Sequence, residues 1–296
     1  MDSIHDNDSG TREIGPGDFP GLLSSMPNPP AFLRIRGPLP PSTATHTYIT
    51  VIGSRKYTDY GKEACETLVK SLAGLPVVIV SGLALGMDSI AHRAALKYGM
   101  GTIAIPGSGL DEEFLYPASH VNLAREIVAA GGALISPFPD DTPAAIWTFP
   151  KRNAIMAGIS KATLVIEAEI KSGTLITSKL ATDYNRDVFA VPGSIFSKQS
   201  EGPHMLIRLG ATPIRNGDDL RDALGFPPER ASTPIHERTD LSPEELRLAT
   251  IIAVEPVSRE ELFSRFGGDI SDFNALISLL EIKEVAVEKE GRIMPL

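Results

Sequence analysis

The sequence predicts an α/β fold: an extended Rossmann-like parallel sheet with helices on both faces, followed by a small C-terminal winged-helix domain. Three observations predict it. From residue 47 to residue 226, short apolar runs alternate with amphipathic stretches of helical period, the pattern of strands covered on both faces by crossover helices. The runs end in glycine and serine turns, which close tight strand-to-helix connections. Beyond a proline-rich, charged linker, residues 241–296 carry two capping signals and an alternating ribbon.

Residues 1–18 have few apolar groups and no period, and are expected to be disordered. Residues 19–46 are dense in proline, which forbids a long helix, and are expected to form an extended strap along a domain surface. Then TYITVIGS (47–54) is a strand, DYGKEACETLVKSL (59–72) a helix, PVVIVSG (76–82) a strand and GMDSIAHRAALKYG (86–99) a helix. GTIAIPGSG (101–109) is a strand and turn, PASHVNLAREIVAAGG (117–132) a helix and ALIS (133–136) a short strand. The central stretch, 149–177, opens with the basic turn Lys151-Arg152-Asn153 and a short helix, then a buried-type strand (162–168) that leads to Lys171-Ser172-Gly173-Thr174 and the next helix. DVFAVPG (187–193) is a strand and GPHMLIRLG (202–210) a helix, and a last small strand and helix reach residue 224.

A turn of this kind at the carboxyl end of a parallel strand points backbone N–H groups into the crevice above the sheet, and the following helix adds partial positive charge. Five strands end in this way: at Gly53-Ser54-Arg55, Ser81-Gly82-Leu83-Ala84, Pro106-Gly107-Ser108-Gly109, Lys171-Ser172-Gly173-Thr174 and Pro192-Gly193-Ser194. Any one such turn is explained by tight βα geometry alone. Five along one sheet edge, with Arg55 and Lys171 among them, point to a shallow groove for phosphate.

The net charge of −9 hides a division along the chain. Residues 47–226 carry 17 Lys/Arg against 18 Asp/Glu, whereas residues 240–296 carry 6 against 12. Residues 147–186 hold Lys151, Arg152, Lys161, Lys171, Lys179 and Arg186 against Glu167, Glu169 and Asp183, an excess of three positive charges. Local charge decides phosphate binding, because distant charges are screened within roughly 8–10 Å. The single Cys65 excludes an internal disulfide and a multi-cysteine zinc site, and reads as a small buried hydrophobe. No apolar run is long enough to span a bilayer and no signal sequence opens the chain, so a cytoplasmic location is expected.

No cofactor is expected. The first turn lacks G-x-G-x-x-G, no acidic residue ends the second strand, and G-x-x-x-x-G-K-[ST] is absent, so NAD and ATP are poorly supported. In the last unit, Ser242-Pro243-Glu244-Glu245 and Ser258-Arg259-Glu260-Glu261 start helices, a third helix runs over about 270–282, and a ribbon turns near Glu290-Gly291. Between residues 269 and 282 the charges are Asp269, Asp272 and Glu281, with no cation. Such a helix is expected to bind protein or pack on its neighbour, not to read a DNA groove.

The ordered set GSR, SGLALGMDSIAH, GTIAIPGSGLDEEFLYP, FPKRNAI, VIEAEIKSGTLIT, VFAVPG and GPHMLIRLGA resembles the DNA-processing protein A family (DprA, also called Smf) over about residues 20–224. The resemblance implies an extended Rossmann fold that binds single-stranded DNA without sequence preference, forms homodimers and helps load the RecA recombinase during natural transformation. It places the DNA on Ser54, Arg55, Ser81, Gly82, Lys151, Arg152, Asn153, Ser172 and Gly173, with Phe149 either a stacking platform for a base or a core anchor. Arg55, Lys151, Arg152, Lys171 and Lys179 are the cations expected to hold phosphates. The chain departs from the family pattern at Ala154, at Ser136-Pro137 and at Pro203-His204, which implies weaker binding. With 46 residues before the first expected strand, the helical domain that many members carry before the strap is not expected here.

Two other readings remain open. Related Rossmann-like enzymes hydrolyse nucleoside monophosphates, and Glu167, Asp88, His92 and Asp111 fall near strand ends where acid/base groups could act. Their phosphate loop, P-G-G-x-G-T-x-x-E, is matched here only by Pro106-Gly107-Ser108-Gly109-Leu110, and Asp88 with His92 also reads as a local hydrogen-bonded pair. The third reading is an adaptor that holds a protein partner.

Overall fold

The computed structural model describes the chain apart from residues 1–9, 20–21, 39–40, 43, 228–234, 236–237, 255, 284, 290 and 296. The described residues fall into two compact units divided between Leu224 and Gly225.

The first unit is built on a mostly parallel sheet of β1 (Thr11–Ile14), β2 (Leu33–Arg36), β3 (Thr47–Ile52), β4 (Val77–Ser81), β5 (Gly101–Ala104), β6 (Ala133–Ser136), β7 (Ala162–Val165), β8 (Asp187–Ala190) and β9 (Thr212–Pro213). Their order is β1-β2-β6-β5-β4-β3-β7-β8-β9. The seven strands from β6 to β9 are parallel, while β2 joins β6 and β1 joins β2 antiparallel. The helices are α1 (Asp59–Ser71), α2 (Met87–Lys97), α3 (Val121–Ala129), α4 (Thr148–Ile159), α5 (Gly173–Asp183), α6 (Glu201–Arg208) and α7 (Gly217–Leu224). The chain runs outward from β3 through β4 and β5 to β6, then returns to β7 on the other side of β3. That reversal sends the later helices to the opposite face and opens a crevice between the carboxyl ends of β3 and β7.

One core cluster packs Tyr48, Val80, Ile103 and Ile135 of the sheet against Ile155, Met156 and Ile159 of α4. Leu23 and Met26 of the proline-rich segment join the same cluster, and Arg186 ties that segment down by donating to Leu22 O (2.8 Å) and Ser25 Oγ (2.7 Å). The proline-rich segment thus packs on the core through Leu23 and Met26, and it also contains β2.

The expected disorder over residues 1–18 is corrected for the part described. Residues 11–14 form β1, paired with β2 along its whole length. The reason is tertiary: β6 leaves an edge that β2 fills, and the Arg34 guanidinium donates to Thr11 Oγ1 (3.0 Å) and to Asp140. A polar tetrapeptide gives no sequence signal for this, because its ladder partner supplies the stability.

The second unit holds α8 (Pro243–Ile252), α9 (Arg259–Phe266) and α10 (Ile270–Ile282) with β10 (Val257–Ser258), β11 (Ala286–Lys289) and β12 (Arg292–Pro295) in the antiparallel order β10-β12-β11. Leu248, Ile252, Leu262, Phe273, Ile277, Leu280 and Ile293 form its own core. The capping box at Ser242 is formed: its hydroxyl accepts from Glu245 N (3.2 Å) while Glu245 Oε2 accepts from Ser242 N (2.5 Å). Most of the expected linker (227–240) and the residue at the ribbon turn, Glu290, lie outside the described residues.

Candidate nucleic-acid interface

At the crevice between β3 and β7 lies an open groove of about 520 Å³. Two turns make its rim. After β3, the Ser54 hydroxyl accepts from Lys56 N and donates to Lys56 O (both 3.0 Å), which bends Arg55 and Lys56 outward into solvent. After β7, Ser172 caps α5 by accepting from Thr174 N (3.2 Å). Thr174 Oγ1 then donates to Gly53 O (3.2 Å), so the two turns are joined across the switch point. The helix N-terminus and the exposed Lys171 give this rim positive character. Gly86, at the start of α2, has φ +81°, and a Cβ there would lie 2.6 Å from both Arg55 Cα and Ser54 O, so a side chain at 86 would push the Arg55 turn away.

Beneath the rim is a buried brace. Arg152 is 5% exposed and donates to Ile105 O (2.9 Å), to Gly82 O and to Asn153 Oδ1 (2.9 Å). Asp88 is buried beside it and accepts from Gly82 N (3.2 Å) and Ala84 N (3.3 Å). Burial pushes the Asp88 carboxyl up from its usual range and the Arg152 guanidinium down, and each charge opposes the shift of the other. Leu83 in the same turn sits at φ +59°, a conformation costing about 1–3 kcal/mol. Asp88 below and the ring of His120, 2.7 Å from Leu83 O, hold it there.

The residues singled out from the sequence separate into three groups. Ser54, Arg55, Phe149, Arg152, Asn153, Lys171, Ser172 and Gly173 all line the groove. Ser81 and Gly82 lie under it: Ser81 is fully buried and donates to Val51 O (2.6 Å), and Gly82 serves the brace. Lys151 and Lys179 are exposed outside the groove, Lys151 over the Trp147 ring at 5.0 Å and Lys179 farther along α5. Phe149 is half-buried, in T-shaped contact with Tyr116 at 5.9 Å between ring centroids and with the Arg55 guanidinium 5.8 Å over its ring. Sequence reasoning missed Lys56, Thr177 and Glu169 as lining residues. The adjacency of Lys56 to Arg55 was the available signal.

The acid/base candidates do not converge. Glu167 is 2% exposed and accepts from Thr58 N (2.9 Å) and Thr58 Oγ1 (2.6 Å), bracing the start of α1. His92 Nδ1 bonds Thr102 Oγ1 (2.8 Å) and not Asp88, so the local pair expected on α2 is replaced by bonds to separate strands and turns. Asp111 lies in a different cleft, with Glu13, Arg34, Asp140 and Asp141. Among the described residues no three His, Cys, Asp or Glu side chains are placed to hold a metal ion. No helix among them is long and apolar enough to cross a membrane.

Comparison with known proteins gives a consistent result. Residues 12–225 match the family model of DNA recombination-mediator protein A. The chain is 39% identical over 209 residues to Protein Smf of Escherichia coli strain K12, covering 70% of this chain and 54% of that one. It is 36% identical over 220 residues to the DNA processing protein DprA of Bacillus subtilis, covering 74% and 72%. It thus spans about half the length of the first relative and 72% of the second. The X-ray structure of DprA from Streptococcus pneumoniae superposes with a TM-score of 0.65 at 34% identity, over 71% of this chain and 73% of that chain. DNA processing protein A of Helicobacter pylori, described for its single-stranded DNA binding mode, superposes at 0.62 and 29% identity, over 75% of this chain and 94% of that chain. The switch-point groove therefore sits on a fold and a run of motifs shared with these proteins, and the chain belongs to the DNA recombination-mediator protein A family.

Proposed function

We propose that the groove between β3 and β7 holds the backbone of single-stranded DNA without reading its sequence. The observation that carries this reading is the junction of two phosphate-type turns through Thr174, with Arg55, Lys56 and Lys171 around an open groove. An open, rimmed trough suits a flexible polyanion better than a small nucleotide, which an enclosed pocket would surround. Backbone N–H groups and cations contact phosphate and sugar, so affinity comes without base discrimination. The Helicobacter pylori relative, described for single-stranded DNA binding, supports the same ligand here.

The role that fits is a cytoplasmic, homodimeric recombination mediator that keeps a strand extended and assists RecA loading in natural transformation, without an enzymatic step. The second unit is read as a winged helix that docks protein. Its α10 exposes Ala275, Leu279 and Ile282 beside Asp272 and Glu281, a surface that repels phosphate and suits a protein contact.

The test is a titration of a fluorescent oligonucleotide against duplex DNA and RNA competitors at two salt concentrations, with AMP incubated in parallel. Expected results are preference for the single strand over duplex, affinity falling with salt, and no free adenine. If Arg55→Glu binds as wild type does at low salt, the groove is misplaced.

A further inference from the structure

Trp147 is the one tryptophan of the chain, and the groove does not include it. It is 53% exposed and Ile146 before it is 92% exposed. A large aromatic left half in water forfeits much of its burial energy, yet this ring is fixed in place. Phe138, 3% exposed, meets it edge-on at 5.5 Å and 89°. The next residue, Thr148, is fully buried with its hydroxyl 2.6 Å from Gly107 O and 2.7 Å from Ala145 O, either of which can accept its proton, and this anchors the backbone at the start of α4. One helical turn on, Lys151 Nζ lies 5.0 Å from the ring centroid. Among the described residues no carboxylate pairs with Lys151.

From this geometry we infer that Trp147 and Lys151 form a second subsite of the strand track, in which Trp147 stacks a nucleobase and Lys151 holds the adjoining phosphate. The inference rests on the single-strand reading of the groove. Within that reading it moves the stacking platform from Phe149 to Trp147. Phe149 is half-buried, with Tyr116 in T-shaped contact and Arg55 over one face, whereas Trp147 is 53% exposed and leaves more of its ring free for a base.

The sheet order gives the subsite its place. Phe138, which supports Trp147, follows the end of β6, while Lys171 follows β7. Between them the order is β6-β5-β4-β3-β7, four inter-strand steps of about 4.8 Å, or about 19 Å. A strand lying along this edge would meet Lys171 and Arg55 first and Trp147 at the far end. A base is a better occupant than an apolar protein side chain because a cation flanks the ring and every base offers a π face to an aromatic.

The experiment uses the intact chain and needs no label on the protein. Unlabelled oligothymidylate should quench Trp147 emission, whereas an abasic strand of equal length should bind by competition without quenching. Trp147→Ala should weaken oligothymidylate binding about five- to hundredfold with the salt slope unchanged, and Trp147→Phe should restore most of the loss. Thermal midpoints of both variants exclude unfolding as the cause. Unchanged affinity in Trp147→Ala, whatever the emission does, overturns this inference and leaves the groove reading intact. Absence of all binding by anisotropy of a labelled oligonucleotide at low salt overturns both.

Discussion

Arg152 and Asp88 meet on either side of Gly82: the guanidinium donates to its carbonyl oxygen while the carboxylate accepts from its N–H. A Cβ at this position would come within 1.7 Å of Arg152 Nη1 and 2.6 Å of Asp88 Oδ2. The basic turn Lys151-Arg152-Asn153 thus supplies its arginine to the floor of the groove and not to its surface, and that division sets the first prediction.

Arg152→Ala should lower stability by about 3–5 kcal/mol, because it leaves a buried carboxylate and two buried carbonyls without their partner. Urea unfolding and oligonucleotide binding measured together decide its role. Lost binding with an unshifted urea midpoint would mean that Arg152 touches phosphate directly.

Arg55, Lys56 and Lys171 are exposed, and substitution of each by Ala should leave the thermal midpoint unchanged. Each should flatten the dependence of log K on log salt by about 0.7 if it neutralises one phosphate. Ser81→Ala should do the reverse. It deletes a buried hydrogen bond to Val51 O and costs about 1 kcal/mol of stability, with the salt slope as in wild type.

His92 gives a pH signature. Burial, helped by the nearby charge of His120, pushes its pKa down to about 3, while an unfolded histidine titrates near 6.5. Below about pH 6.5 the unfolded chain therefore binds a proton that the folded one does not, so this group's contribution to stability falls as pH drops and is constant above that point. The loss amounts to about 2 kcal/mol at pH 5. His92→Gln should show a smaller shift of the urea midpoint between pH 7.5 and pH 5 than wild type does. Equal shifts would contradict the buried neutral ring.

In the second unit, Lys283 Nζ donates to both carboxylate oxygens of Glu245 (2.7 Å each), and Glu245 is 2% exposed. Lys283→Ala should unfold this unit at lower denaturant, by about 3–5 kcal/mol, and leave single-strand affinity near wild type. A large loss of affinity would transfer DNA binding from the groove to the second unit.

Much of the fold was legible because each βαβ step is a local signal. The strand at 133–136 and the helix after Ser172 fall where apolar period and capping residues put them. β1 and β2 were not legible, since their stability comes from an edge strand distant in the chain and from Arg34 reaching Asp140. That Ser54, Arg55, Lys171 and Ser172 would line one groove was legible because turn chemistry is written in consecutive residues. The exposure of Trp147 was not legible because it depends on the packing of Phe138 and Thr148, which lie apart from any motif.

The sequence by itself determined the family, the alternation of strands and helices, and which turns carry glycine, serine and cations. Only the tertiary structure decided which cations face water. Arg152 and Lys151 are adjacent in the chain, yet one is buried and the other exposed. The reason is that a buried guanidinium needs acceptors, and those of Arg152 come from Gly82 and Ile105, 70 and 47 residues away, brought beneath it by the parallel pairing of β4 with β5.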